Sequence, residues 1–279
     1  MNNLLGEDFI KARKAWLYPA EPMQSVWRAL VITAVIFVLY SIFQALFGIV
    51  AASVMYATDI EALKTALTDS SGGTALTNAT RLTFVKSVMI GTFPAAVVAS
   101  FLAVAICPYG LKSKAGNLPL HWPKIGPLGW AIVIIGFWVF TEAISGGILT
   151  ALGVDASKSG EVEKALIALA KERSFFTFAL PGAVLGAPLI EELLFRGIMF
   201  AGLVNSPLGK RGAVLITAAV WAVAHAFGAP WYFVIVLFVM GLVLGLLMLR
   251  FGSLWVPIAC HTLWNLIVTL VLFQMGSGT

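Results

Sequence analysis

A chain of 279 residues that is 60% hydrophobic and 11% charged, with a mean hydropathy of +0.95, departs far from the roughly one-quarter charged residues of a soluble domain. So much apolar surface needs lipid, and several runs exceed the roughly 18 apolar residues that cross a bilayer. The net charge of +5 is spread among loops with no basic stripe or aromatic platform, which excludes nucleic acid as an expected partner and points to membrane topology instead.

Residues 1–26 read as a charged amphipathic arm and not as a cleaved signal, whose short apolar run would begin almost at once. Beyond it, continuous runs such as VITAVIFVLYSIFQALFGIV do not alternate as barrel strands do. The expected class is therefore an all-α polytopic membrane helix bundle. Its spans fall at about 27–55, 84–107, 128–152, 174–203, 212–228, 231–249 and 254–274, about seven helices. The organisation is an arm (1–26), a first group of transmembrane helices with a connector (27–173), a polar-bearing transmembrane core (174–274) and a short tail (275–279).

The connections near 57–83, with Asp59, Glu61, Lys64 and Asp69, and near 153–173 mix acids with bases and read as external. Lys11, Arg13 and Lys14 in the arm, Lys112, Lys114 and Lys124 after the second span, and Lys210, Arg211 and Arg250 mark the opposite side. The excess of lysine and arginine makes those ends cytoplasmic, with the N-terminus inside. This is the topology of a multi-pass protein of the cell membrane, the inner membrane in a prokaryote. EVEKALIALAKER (161–173) has helical charge spacing and reads as an interfacial connector. Gly241 and Gly245 form a GxxxG read as helix packing. Cys107 and Cys260 lack metal-like spacing and also read as packing. Glu142 reads as cavity lining or packing, and His121 as solvated or interfacial.

An ionisable residue within the bilayer costs a few kcal/mol even on insertion scales and so needs a partner, water or a role. Such residues gather in the last half. The fourth span, PGAVLGAPLIEELLFRGIMFAGL, holds Glu191, Glu192 and Arg196; the fifth holds Trp221 and His225; the seventh holds His261 and Asn265. Each set uses the i, i+4 step that shares a helix face: Glu192 with Arg196, Trp221 with His225, His261 with Asn265. Counted at the α-helical rise, Glu191, His225, His261 and Asn265 lie about 18, 20, 10 and 17 Å from the cytoplasmic ends, in one overlapping layer. Two adjacent carboxylates in low dielectric do not both ionise easily, and Arg196 holds one of them charged. Helical geometry gives that place to Glu192. Glu191, turned about 100° away, is left to hold and deprotonate a water, with His225 sharing the proton and His261 and Asn265 facing an oxygen where charge develops.

EELLFR, WAVAH and HTLWN, in that order over roughly residues 174–270, resemble the EExxxR, (F/W)xxxH and HxxxN motifs of the CPBP group, the CAAX proteases and bacteriocin-processing or self-immunity proteins also called the Abi family. The likeness is to the type II CAAX prenyl endopeptidases. It implies an intramembrane endopeptidase whose glutamate-activated water attacks a peptide bond of a membrane-associated peptide or lipidated protein, CAAX-type prenylated chains among the substrates. By motif position Glu191 is the base, His225 its assistant, and His261 and Asn265 the oxyanion donors, with Glu192, Arg196 and Trp221 in support. Glu191, His225 and His261 also offer the ligand types of an open zinc site. Asn265 is a poor zinc ligand and no HExxH is present, so no cofactor is expected. Two other classes compete: a proton-coupled transporter, which lacks the matching broken helices of two repeated halves, and a non-catalytic immunity or scaffold protein, which intact motifs oppose. Oligomeric state is not legible.

Overall fold

In a membrane every backbone polar group must be satisfied within the protein, and a long apolar run does so most simply as a helix. The computed structural model describes residues 2–18, 26–58, 73–110, 118–154, 167–172, 175–204, 206–226 and 230–277. Regular structure among them is all helical: α1 (Asn2–Leu5), α2 (Glu7–Ala12), α3 (Val26–Thr58), α4 (Gly73–Gly110), α5 (Pro127–Ala151), α6 (Phe175–Ala179), α7 (Ala187–Glu192), α8 (Phe200–Val204), α9 (Gly209–Ala224), α10 (Trp231–Phe251) and α11 (Trp255–Ser277). Wide π-helical turns, Leu180–Gly186 and Leu193–Met199, follow α6 and α7 in the chain.

Among the described residues, six stretches are long and apolar enough to cross a membrane: Val26–Val54, Val85–Cys107, Pro127–Ala151, Phe176–Val204, Trp231–Phe251 and Trp255–Met275. The protein is thus the multi-pass helical membrane protein expected. The fifth expected span is α9, whose 16 residues rise about 24 Å, short of the roughly 30 Å hydrocarbon core. Helix α4 begins at Gly73, well ahead of its apolar part, because the polar residues before Val85 carry no helix breaker and hydropathy reports only the lipid-facing stretch. Asp59, Glu61, Lys64, Asp69, Lys112, Lys114 and most of the 161–173 connector lie outside the described residues.

Packing divides the chain into two units. The first comprises Met1–Phe37, Ser100–Lys158 and Pro188–Trp264. At its centre every residue from Ile190 to Val204 is buried except Glu191. Helix α9 turns Ala213, Val214, Thr217, Ala218 and Trp221 inward at helical spacing and packs against α10, where Gly241 and Gly245 face Ala218 and Val214. Helix α10 ends on Gly252 at φ 63°, whose N–H returns to the Met248 carbonyl, a left-handed cap that glycine adopts without steric cost. The arm docks there: Leu17 and Tyr18 donate their backbone N–H groups to Arg250 and Leu249 carbonyls at 3.2 and 3.1 Å, and a Cβ at position 252 would stand 2.6 Å from the Leu17 carbonyl. Tyr18 is buried edge-on to Phe200, and burial pushes its phenol pKa up. Glu142 is exposed on α5 instead of lining a cavity.

The second unit comprises Val38–Ala99, Ser159–Ala187 and Asn265–Thr279. Gln44 donates to Thr92 at 2.8 Å, Lys86 pairs with Glu172, and Leu169, Ala170, Phe178 and Ala179 form an apolar cluster beside which the Phe176 and Phe273 rings lie tilted, 4.6 Å between centroids. In the first unit Cys107 and Cys260 are free and buried, as packing residues are.

Candidate active site

Glu191 and Glu192 close the α-helical turn of α7, directly before the second π-turn. Such wide turns are rare and recur at functional sites. Adjacent residues on a helix point about 100° apart, and the two carboxylates meet different surroundings.

Glu192 is fully buried. Its Oε1 accepts Nη1 of Arg196 at 3.0 Å and faces Nδ1 of His261 at 2.9 Å. Arg196, equally buried, also donates Nη2 to the Gly241 carbonyl at 3.2 Å and lies over the Trp221 ring, 4.9 Å from its centroid. Four helical segments thereby meet on one guanidinium, which the planar fork of arginine suits better than a lysine would. The expected Glu192–Arg196 pair is present, and Glu192 has a further contact that the spacing did not disclose: it orients His261.

Glu191 is partly exposed and its Oε2 is the point of convergence. Trp221 Nε1 donates to it at 2.6 Å, His225 Nε2 lies 3.8 Å away and His261 Nε2 4.0 Å away. The last two separations exceed hydrogen-bond length, so neither imidazole bonds Glu191 directly. Trp221 makes edge contacts with both imidazoles, its ring 5.1 Å from His225 and 5.4 Å from His261, so the indole sets the spacing among all three groups.

The imidazole tautomers follow from their partners. His225 stands at the C-terminus of α9, its Nδ1 2.8 Å from the Trp221 carbonyl. A carbonyl only accepts, so Nδ1 carries the proton and Nε2 turns a lone pair toward Glu191. In the same way the Glu192 carboxylate accepts a hydrogen bond from Nδ1–H of His261, whose Nε2 then faces Glu191. His261 becomes an oxyanion donor only as an imidazolium, a condition that the sequence does not reveal.

Asn265, one turn beyond His261 on α11, belongs to the second unit, where its Nδ2 donates to the Ala183 carbonyl at 2.7 Å. The other six residues singled out in the sequence, Glu191, Glu192, Arg196, Trp221, His225 and His261, are brought together in the first. As for a zinc ion, Glu191, His225 and His261 do approach one another, but among the described residues no group of three or more His, Cys, Asp or Glu side chains is arranged to hold a metal. Gly241 is the participant that sequence reasoning assigned to packing alone.

Residues 173–267 match the family described as Rce1-like, the type II CAAX prenyl endopeptidase Rce1-like model. Over 164 residues the chain is 30% identical to the membrane-embedded CAAX protease MroQ of Staphylococcus aureus (strain USA300), a match that takes in 57% of this chain and 63% of that protein. No solved structure matches the chain. With these likenesses beside the clustered EELLFR, WAVAH and HTLWN side chains, the chain is similar to the CAAX proteases of the CPBP family over the part that carries those motifs.

Proposed function

We propose that this protein is an intramembrane endopeptidase that hydrolyses a peptide bond of a membrane-associated substrate with a water activated by Glu191. The observation that carries the proposal is the convergence of one indole N–H and two imidazole Nε2 atoms on a single oxygen of Glu191, the one residue between Ile190 and Val204 that is not buried. Glu191 takes a proton from the water as its oxygen bonds to the scissile carbonyl carbon, giving a tetrahedral oxyanion. That proton, shared with His225, passes to the amide nitrogen as the carbon–nitrogen bond breaks, and Glu191 returns to its carboxylate form. His261 as imidazolium, countered by Glu192, and Asn265 by its motif position donate to the oxyanion. No metal takes part in this reading. The basic loops support a cytoplasmic N-terminus, and the family's name supports CAAX-type prenylated proteins as one substrate class.

The test is cleavage of a membrane-delivered peptide library, prenylated and unprenylated, by the purified protein with and without a strong chelator, beside His225→Ala. Chelator-resistant cleavage lost in the variant supports the proposal. Chelator-sensitive cleavage transfers the chemistry to a metal; proton flux into liposomes without cleavage transfers the function to transport.

Two finer results are expected. Asn265→Ala lowers the rate by about 10²–10³, the effect of removing one oxyanion donor. Trp221→Phe keeps the ring but deletes the donor to Glu191, a charge-assisted bond whose loss is worth about 1.5–3 kcal/mol, and so slows cleavage by about ten- to a hundredfold. Both are read as kcat/KM on the best peptide of the library.

A further inference from the structure

The two glycines of the α10 GxxxG differ in what their missing side chains allow. At Gly245 a Cβ would meet Cγ1 and Cγ2 of Val214 at 3.3 and 3.4 Å and its Cα at 3.5 Å, contacts that a shift of a few tenths of an ångström relieves. At Gly241 a Cβ would meet Cα and Cβ of Ala218, both at 3.0 Å, and Nη2 of Arg196 at 3.2 Å. That guanidinium has little freedom to retreat, held by Glu192 through Nη1 and stacked over Trp221. The Gly241 carbonyl is itself the acceptor for Nη2. A carbonyl has a second lone pair beyond the one its own helix uses, and a bare Cα lets arginine reach it. From this carbonyl a buried chain runs through Arg196 and Glu192 to His261 Nδ1.

We propose that Gly241 is a positioning residue for the hydrolysis: its carbonyl and its missing side chain fix Arg196, which fixes Glu192, which fixes His261 opposite Glu191. Gly245 serves packing only. The catalytic part of this inference rests on the peptidase reading above, whereas the positioning of His261 by Gly241 does not.

The experiment compares Gly241→Ala, Gly245→Ala and Gly241→Ala with Ala218→Gly in the full-length protein in nanodiscs. It reads kcat, KM, the thermal midpoint and the ¹⁵N resonances of the histidines, of which the chain has three. In Gly241→Ala, kcat falls by about ten- to a hundredfold, as slight misplacement of a catalytic group does, with KM within about twofold, and the His261 signals move while those of His121 stay. Gly245→Ala matches the parent in both respects. Adding Ala218→Gly removes the contact with the Ala218 Cβ and leaves that with its Cα, so the midpoint recovers in part while kcat and the His261 signals do not; should Gly241→Ala alone fail to fold, this double variant carries the comparison. Recovery of kcat in step with the midpoint, or His261 signals that never move, overturns the proposal. If the parent cleaves nothing, the peptidase reading fails, and the His261 signals alone decide whether Gly241 positions that ring.

Discussion

Glu191→Gln is expected to lower cleavage by about 10²–10⁴ while the protein stays folded in the membrane. Glutamine keeps the size of the side chain and an oxygen for the Trp221 indole to donate to, but it takes no proton from water. Little stability is at stake, because Glu191 is partly exposed and its imidazole neighbours stand at 3.8 and 4.0 Å, beyond direct bonding. The check is kcat/KM beside a thermal midpoint, and turnover near that of the parent would remove Glu191 as the base.

Glu192→Ala has the opposite profile, with the largest expected effect on stability. It leaves Arg196 charged and buried without its carboxylate and takes the Nδ1 partner from His261. Breaking a buried pair from one side costs about 3–5 kcal/mol, so reversible unfolding in mild detergent should shift clearly toward the unfolded protein. Replacing both members by apolar residues, Glu192→Leu with Arg196→Met, removes the stranded charge and should recover most of that loss. Cleavage should stay low in the double variant, because His261 remains unanchored. Restored cleavage would show that the pair serves the fold and not the ring.

These two neighbouring glutamates also mark how far the sequence could be read. The i, i+4 rule found Glu192 with Arg196 because a helix makes that pair local. It placed Glu191 on another face, and membrane depth alone brought His225 and His261 to the same layer. That His261 bonds Glu192 was beyond reach, since it depends on which faces of α7 and α11 meet. For the same reason Gly241 read as half of a common packing motif: a backbone carbonyl has no sequence signature, and its value lies in the arginine that reaches it. The spans were legible from apolar length, except where α9 is too short to fill a bilayer and where α4 extends past its apolar part. Asn265 was legible as the partner of His261 on one helix face, whereas its bond to Ala183 was not, since nothing in the spacing names an accepting carbonyl on another segment.

The π-turns on either side of α7 carry a consequence for how chains of this kind can change in length. A π-turn accommodates one residue more than the α-helical turn it replaces, and one residue is about 100° of rotation. Deleting a single residue between Gly197 and Met199 would therefore be absorbed first by closing the wide turn, with Glu191 and Arg196 keeping their facing. A second deletion has no slack to draw on and swings α8 by about 100°, taking Phe200 away from Tyr18. Relatives of unequal length in this stretch are then expected to differ by the presence of the bulge before they differ in the direction their glutamates face.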